Sequence, residues 1–519
     1  MVRKITAAAA ALLLSTSASA SWQRATSRHF IVYSDDTPGH VEAFTVKLEK
    51  FDKAMRVWHV APEDKRGDSA RVTVFVVSDI AAIQKLAGRA DVAGFYQPRA
   101  GDSVAFTPRS SGDGADHGFT SQAILFHEYT HHWMLTNDAW SDAAFPPWFV
   151  EGFAELHATA IIRNGDVIFG ATPTYRGYTV GNMNLLPATQ LLLPNPGHLS
   201  GEQRDALYSR GWLLADYLIF NKDRLGQFAA YVTAINSGKS PREANALLGN
   251  PNALDFKLNA YGKQSVLPSA LIPAKDLTIG KVSVQPLSAA EAAIMPAFIL
   301  SKRGVTSKAA PGVAAIARRV AASYPDDAFV ENEVAEAEFD VCSTDPTSDA
   351  ACYVRTEAAT DRALATDPKS IHALVYRGMA QAAAAKKNKI VDPAKWSAIR
   401  QWFLAANKID SEAPQPLIDF YESYAAAGQT PTKNAEGAML YAYALAPYDA
   451  SVRIKAARVL LVQDKAAQAK VALGPVAYNL DEPGQADRAQ KILAVLDKDG
   501  SKAALMEMDK KPEDKDKKG

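Results

Sequence analysis

From about residue 287 the chain becomes a succession of alanine-rich amphipathic helices, and this run limits the possible folds more than any other feature. Apolar residues recur with helical spacing over 287–303, 311–323, 327–341, 353–366, 370–386, 394–408, 413–427, 434–446, 450–463 and 466–478. Helices this short gain most of their stability by packing an apolar stripe on a neighbour. Similar junctions recur: Ala363-Leu364-Ala365-Thr366-Asp367-Pro368, Ala405-Ala406-Asn407-Lys408-Ile409-Asp410 and Ala444-Leu445-Ala446-Pro447-Tyr448-Asp449, spaced 42 and 39 residues apart.

That pattern resembles degenerate tetratricopeptide repeats, in which helix pairs stack into a superhelix. The resemblance implies a face that binds substrate or partner proteins. A plain helical bundle capping the rest of the chain is the alternative. At 519 residues, several domains are expected. Lys+Arg and Asp+Glu are equal at 57 each, so the charge balance points to neither a nucleic-acid partner nor a polybasic membrane surface.

The chemistry-bearing stretch lies earlier. Phe126-His127-Glu128-Tyr129-Thr130-His131-His132 contains His-Glu-x-x-His within a helical run, with Thr120 or Ser121 as N-cap. Positions i and i+4 share a helix face, so His127 and His131 aim two imidazoles at one point, as zinc requires. Glu128 falls beside that point, where it can take a proton from water. A catalytic zinc has three protein ligands and one open position. After the Phe145-Pro146-Pro147 break, a second helix carries Trp148-Phe149-Val150-Glu151-Gly152-Phe153-Ala154-Glu155. Glu151 and Glu155 share a face among aromatic residues, and a carboxylate in such surroundings needs a partner.

These residues resemble the gluzincin zinc metallopeptidases of the peptidase MA group, which pair His-Glu-x-x-His with a glutamate about 20 positions on in a Trp-x-x-Glu-Gly-x-Ala-Glu string. Here Glu151 lies 20 positions after His131. The resemblance implies one Zn²⁺ per chain held by His127, His131 and Glu151, with Glu155 as support and Glu128 as general base. It implies peptide-bond hydrolysis. The metzincin pattern fails, because Met134 and Asn137 stand where it needs Gly and His. Tyr208-Ser209-Arg210-Gly211 resembles the Tyr-x-Lys-Gly element of aminopeptidase-like gluzincins. It implies a Tyr208 hydroxyl stabilising the oxyanion, an ordinary core tyrosine being the alternative. No Gly-x-Met-Glu-Asn-type string of the exopeptidases occurs. His132 and His157 fall near the site and read as residues that support the ligands or pack, not as ligands.

Residues 1–4 are a basic start, 5–14 an apolar core, and Ala18-Ser19-Ala20 a cleavage site: an export signal peptide, cut after Ala20. No other stretch is apolar enough to span a bilayer. A periplasmic or secreted protein is expected. In such a compartment Cys342 and Cys352 form one disulfide. Residues 22–115 read as α/β, with strands at 29–34, 71–77, 94–96 and 102–106 and helices at 41–58 and 80–86. By resemblance, Ser103 to Phe106 is the candidate edge strand that binds extended substrate. A hairpin is expected from 166–169 and 174–176.

The expected architecture is an α+β metallopeptidase domain, a small mixed sheet plus zinc-binding helices, followed by an all-α repeat domain. Its divisions are a signal peptide at 1–20, an α/β subdomain at 21–115, a zinc-site subdomain at 116–270, a linker at 271–286, repeats at 287–500 and a charged disordered tail at 501–519. The competing functional reading is a catalytically silent periplasmic scaffold acting through its repeats. Other chemistries lack their motifs: Gly238-Lys239-Ser240 has Thr233 where a phosphate-binding loop needs Gly, and no Gly-x-Ser-x-Gly or Gly-x-Gly-x-x-Gly occurs.

Overall fold

A computed structural model of the chain describes residues 22–510 except 91, 111–119, 138, 178, 180–184, 196, 198, 346, 349 and 481. The expected signal peptide, nearly all of the link at 110–118 and residues 511–519 lie outside the described residues. The first part contains β1 (Gln23–Thr26), β2 (Phe30–Ser34), α1 (Pro38–Trp58), β3 (Val72–Asp79), α2 (Ile80–Ala87), β4 (Phe95–Gln97) and β5 (Val104–Ser110). Next come α3 (Ser121–Thr136), α4 (Pro147–Ala158), β6 (Ile161–Arg163), β7 (Asp166–Phe169) and α5 (Ala188–Leu191). These are followed by α6 (Gly201–Phe220), α7 (Leu225–Asn236), α8 (Pro241–Ala246), α9 (Pro251–Tyr261), β8 (Ala270–Ile272) and β9 (Ser283–Pro286). An all-helical region completes the chain: α10 (Ala289–Arg303), α11 (Ala310–Ala321), α12 (Ala328–Ser343), α13 (Ala351–Thr366), α14 (Ile371–Lys387) and α15 (Pro393–Ile409). Its remaining helices are α16 (Pro414–Ala426), α17 (Lys433–Leu445), α18 (Ala450–Val462), α19 (Ala466–Ala477) and α20 (Pro483–Met508).

The main sheet is mixed, in the order β4-β5-β3-β2-β1-β9. β2, β3 and β5 run parallel, while β4, β1 and β9 pair antiparallel with their neighbours. Its inner strands are buried on both faces, which is why β3 reads as an unbroken Val-Thr-Val-Phe-Val-Val run. Val72, Val74 and Val76 join Phe30, Val32, Phe51 and Phe126 in the core with α1 and α3. The alternate residues Phe75 and Val77, with Tyr33 and Phe106, face the other way and pack against Met295, Phe298 and Ile299 of α10. Burying each such side chain stabilises by roughly 1.5–3 kcal/mol. The first helix of the array is therefore half of the sheet's hydrophobic cover.

Four expectations need correction. Residues 271–286 are not a linker: β8 pairs with β7, and β9 closes the main sheet against β1. Ser103–Phe106 is not an edge: Val104–Ser110 lies between β3 and β4, and β4 is the edge strand. The hairpin is β6–β7, turned at Asn164 (φ 53°) and Gly165 (φ 90°), while Thr174–Arg176 is a single 3-10 turn. Asn-Gly suits a two-residue hairpin turn because both positions need positive φ. Residues 501–508 are not disordered: the helical path of α20 breaks at Gly500 (φ 82°) and a further helical stretch runs on to Met508, burying Ala504 and Met508.

The array proceeds in antiparallel helix pairs whose first helices begin 33 to 43 residues apart. Short side chains cap many of them: Asp327, Ser370, Asp392, Thr432 and Asp449 each accept a first-turn N–H. Cys342 and Cys352 are joined across the α12–α13 connection with Cα atoms 5.9 Å apart. Replacing both by serine is expected to lower stability by about 2–3 kcal/mol, read from the denaturant midpoint. An unchanged midpoint would show that this loop constraint contributes nothing.

Candidate metal centre

Helix α3 starts where Thr120 accepts a hydrogen bond from the Ala123 N–H at 3.1 Å. Most of it is buried, through Ile124, Leu125, Phe126, Tyr129, Trp133 and Met134. His127, Glu128, His131 and Leu135 lie on the partly buried stripe that remains. Tyr129 donates to Asp52 of α1 at 2.8 Å, setting the roll of the helix. Helix α4 starts at Pro147, where a missing N–H costs nothing. It is buried nearly all round, including Glu151 at 4 % and Glu155 at 1 % exposure.

Two glycines decide how close the site's helices come. A Cβ on Gly152 would lie 2.1 Å from the carbonyl carbon of Gly211, and one on Gly211 would lie 2.5 Å from the Trp148 carbonyl oxygen. α4 and α6 thus cross backbone against backbone. This crossing gives a physical reason for the glycine in Glu151-Gly152 and for the one in Arg210-Gly211.

The structure brings His127, His131 and Glu151 together. The two Nε2 atoms are 3.1 Å apart, and Glu151 Oε2 lies 3.3 Å from one and 3.5 Å from the other. A tetrahedral zinc bound at 2.0–2.1 Å spaces its ligands roughly 3.3 Å apart. Glu151 Oε2 is buried and makes no hydrogen bond of ordinary geometry. Burial alone would raise this carboxyl; the charge of His131 and the close approach of both imidazoles outweigh it and hold the group well below the usual carboxylate range. A buried carboxylate oxygen facing two imidazole nitrogens is a donor set that suits a divalent borderline metal. The residues fit zinc.

Glu155 lies outside the triangle. Its Oε1 is 3.5 Å from His127 Nδ1 and accepts from Arg176 at 2.7 Å, while Oε2 accepts from the Tyr175 hydroxyl at 2.6 Å. A carboxylate on the far nitrogen orients a ligating histidine. The ring of Tyr208 stacks on His127 with centroids 5.8 Å apart, and the Arg176 guanidinium lies 4.8 Å from the same tyrosine ring. Tyr208 stands in the second turn of α6, because that helix begins at Gly201, with Ser200 as N-cap. Arg210 turns away to pair with Asp255.

His132 and His157 are not in the triangle. Tyr96 Oη and His132 Nδ1 are 2.6 Å apart, tying β4 to α3. His157 donates from Nδ1 to the Phe153 carbonyl at 2.7 Å and meets His59 at 2.9 Å. Burial pushes His157 down to about 3 and His132 well below its ordinary value, so both are neutral packing groups.

A cavity of about 400 Å³ opens on this centre. Glu128, His131 and Glu151 line it, together with Tyr96, Gln97 and Arg99 around the edge strand. Its opposite wall comes from the helical array, through Tyr448, Val476, Tyr478 and Leu480. The loop joining α3 to α4 is held by the same array. Arg453 donates to the Ser141 carbonyl, Tyr443 donates to Asp142 at 2.7 Å, and Gly474 packs on Ala144. No local signal in the sequence marks Arg176, Arg453 or Leu480, since their roles arise from contacts with residues distant in the chain.

Neither a family model nor a curated protein sequence matches this chain.

Proposed function

We propose that the chain is an exported zinc-dependent peptidase. The observation that carries this is the His127–His131–Glu151 triangle, dimensioned for zinc, with Glu128 in the wall of the adjoining cavity. His127, His131 and Glu151 would hold the ion. When bound, zinc acidifies water and polarises a carbonyl. Glu128 takes the proton of the attacking water and delivers it to the leaving amine nitrogen. Tyr208 is the candidate oxyanion donor, supported by its ring lying on His127. The Arg176–Glu155 pair holds the His127 ring in register. Edge strand β4, antiparallel to β5 and beside Glu128 in the cavity wall, offers backbone groups to an extended peptide.

The tetratricopeptide-like reading of the array is supported by its helix pairs, but its use as an open platform is not. α10 covers the sheet, Gln415 of α16 meets Gly101, Asp449 accepts from the Ala100 N–H, and Gln490 of α20 accepts from Asn195. At these points the array packs on the chain itself. Among the described residues no helix is long and apolar enough to cross a membrane.

The test is zinc content per chain by elemental mass spectrometry, for the parent and Glu151→Ala. About one zinc in the parent and less than a tenth of that in the variant are expected after dialysis, since losing a ligand leaves two. No zinc in a reconstituted parent would end the peptidase reading.

A further inference from the structure

A second group of ligand-type side chains lies in the helical array, where the array meets the turn between β4 and β5. Glu333 and Glu336 stand three positions apart on α12 and so share a face. His372 comes from the first turn of α14. One ligand atom of each lies within 4.8 Å of the others. The two glutamates are 3 % and 6 % exposed. Burying two carboxylates side by side is costly unless a cation joins them. The chain supplies one ammonium. Lys302 of α10 donates to Glu336 Oε2 at 2.9 Å and to Asp102, in the turn before β5, at 2.7 Å.

That leaves Glu333. Its Oε2 is buried and has no hydrogen-bond partner among the described residues. The His372 ring stacks on Tyr376, with centroids 4.4 Å apart. Its Nε2 lies 3.1 Å from the Asn332 carbonyl oxygen and 3.5 Å from Glu336 Oε2. A proton on Nε2 serves the carbonyl. With the proton on Nδ1 instead, the Nε2 lone pair faces two oxygens, and a cation is what relieves that arrangement. A bare ion sits about 2.0–2.6 Å from its ligands, closer than a water does, so atoms gathered round an ion-sized gap offer solvent little surface. Glu151 Oε2 of the first triangle is buried in the same way. A cavity of about 610 Å³ gives access, with Glu336, His372, Lys302 and Asp102 in its lining.

We propose that Glu333, Glu336 and His372 form a second divalent-cation site, of the manganese class, that clamps α12 to α14. Two carboxylates and one imidazole make a more oxygen-rich donor set than the first triangle, and water from the cavity completes the shell of a harder ion. Through Lys302 and Asp102 the same cluster is tied to the turn between β4 and β5, so the ion braces the array against the sheet. It exchanges through the cavity and is lost on dialysis, which leaves the zinc count of the first centre unchanged. The proposal does not depend on the peptidase reading.

The test titrates the full chain, with zinc in the first centre, with MnCl₂ and reads free Mn²⁺ by electron paramagnetic resonance. Zinc binds such donors more tightly than manganese and stays in place. About one Mn²⁺ per chain is expected to bind. Glu333→Gln and His372→Gln should each weaken that binding by roughly tenfold or more. Glu151→Ala should still bind the ion. Bound Mn²⁺ should also raise the unfolding temperature of the parent and leave that of Glu333→Gln where it was. No bound Mn²⁺ at millimolar concentration, or binding untouched by Glu333→Gln, would overturn the proposal. So would manganese that is lost in Glu151→Ala, because that places the ion in the first triangle. Should Glu333→Gln fail to fold, His372→Gln, at a half-buried position in the cavity lining, decides alone.

Discussion

Glu128→Gln is expected to keep about one zinc per chain and to lower peptide hydrolysis by roughly 10²–10⁴-fold. The two halves of that result have separate causes. The donor triangle is His127, His131 and Glu151, and Glu128 stands beside it on α3 with its side chain in the cavity wall. Gln has nearly the shape of Glu, so the packing of α3 is undisturbed. It has no basic oxygen, so it takes no proton from water and gives none to the amine. Hydrolysis should be followed with a quenched peptide, and zinc by elemental mass spectrometry on the same sample. Retained hydrolysis would remove Glu128 from the mechanism. Loss of zinc would instead make Glu128 part of the metal-holding structure.

Among the described glycines, Gly152 is the one where an added methyl group should do the most damage. Its Cβ would sit 2.1 Å from the Gly211 carbonyl carbon, a backbone atom that no rotamer change can move. α4 and α6 must separate, and both are buried along most of their length. Overpacking of this kind costs about 3 kcal/mol or more where the neighbour is rigid. Glu151 is the adjacent residue, so the displacement should also weaken zinc binding. Gly437→Ala is the matched control: a Cβ there, inside α17, meets nothing within 4 Å, and replacing a mid-helix glycine should stabilise by roughly 0.5–1 kcal/mol. Thermal unfolding and zinc content of the two variants would test the crossing. A Gly152→Ala protein as stable as the parent would mean that the helices are not locked at this point.

The fold is described by a small mixed sheet and a long helical region, and both are legible in the sequence for local reasons. The apolar period of α1, from Val41 to Trp58, marks a helix with one buried face, and the structure makes it Pro38–Trp58. The β-branched run at 72–77 marks a strand buried on both sides. The array helices are marked by their periodicity and by the junctions between them. Four short strands escaped for equally local reasons, β6 and β8 having three residues each. β1 and β9 are four residues each, too short for a two-residue period to stand out. The Asn164–Gly165 turn sets the hairpin between 161–163 and 166–169, one strand earlier than the pattern suggests.

What the sequence by itself determined is the chemistry of the centre. His127 and His131 share a face because a helix repeats every 3.6 residues, and two prolines start the helix that carries Glu151 and Glu155. Only the tertiary structure decided what surrounds those residues. It made β4 the edge strand on that side in place of β5, because strand order depends on pairings that local pattern does not encode. It gave Glu155 its partners Tyr175 and Arg176, 20 and 21 residues away. It also made part of the helical array a wall of the cavity, through contacts such as Arg453 to Ser141, 312 residues apart. Periodicity reports which face of an element is buried. It does not report against what, because that is settled by the packing of the whole chain.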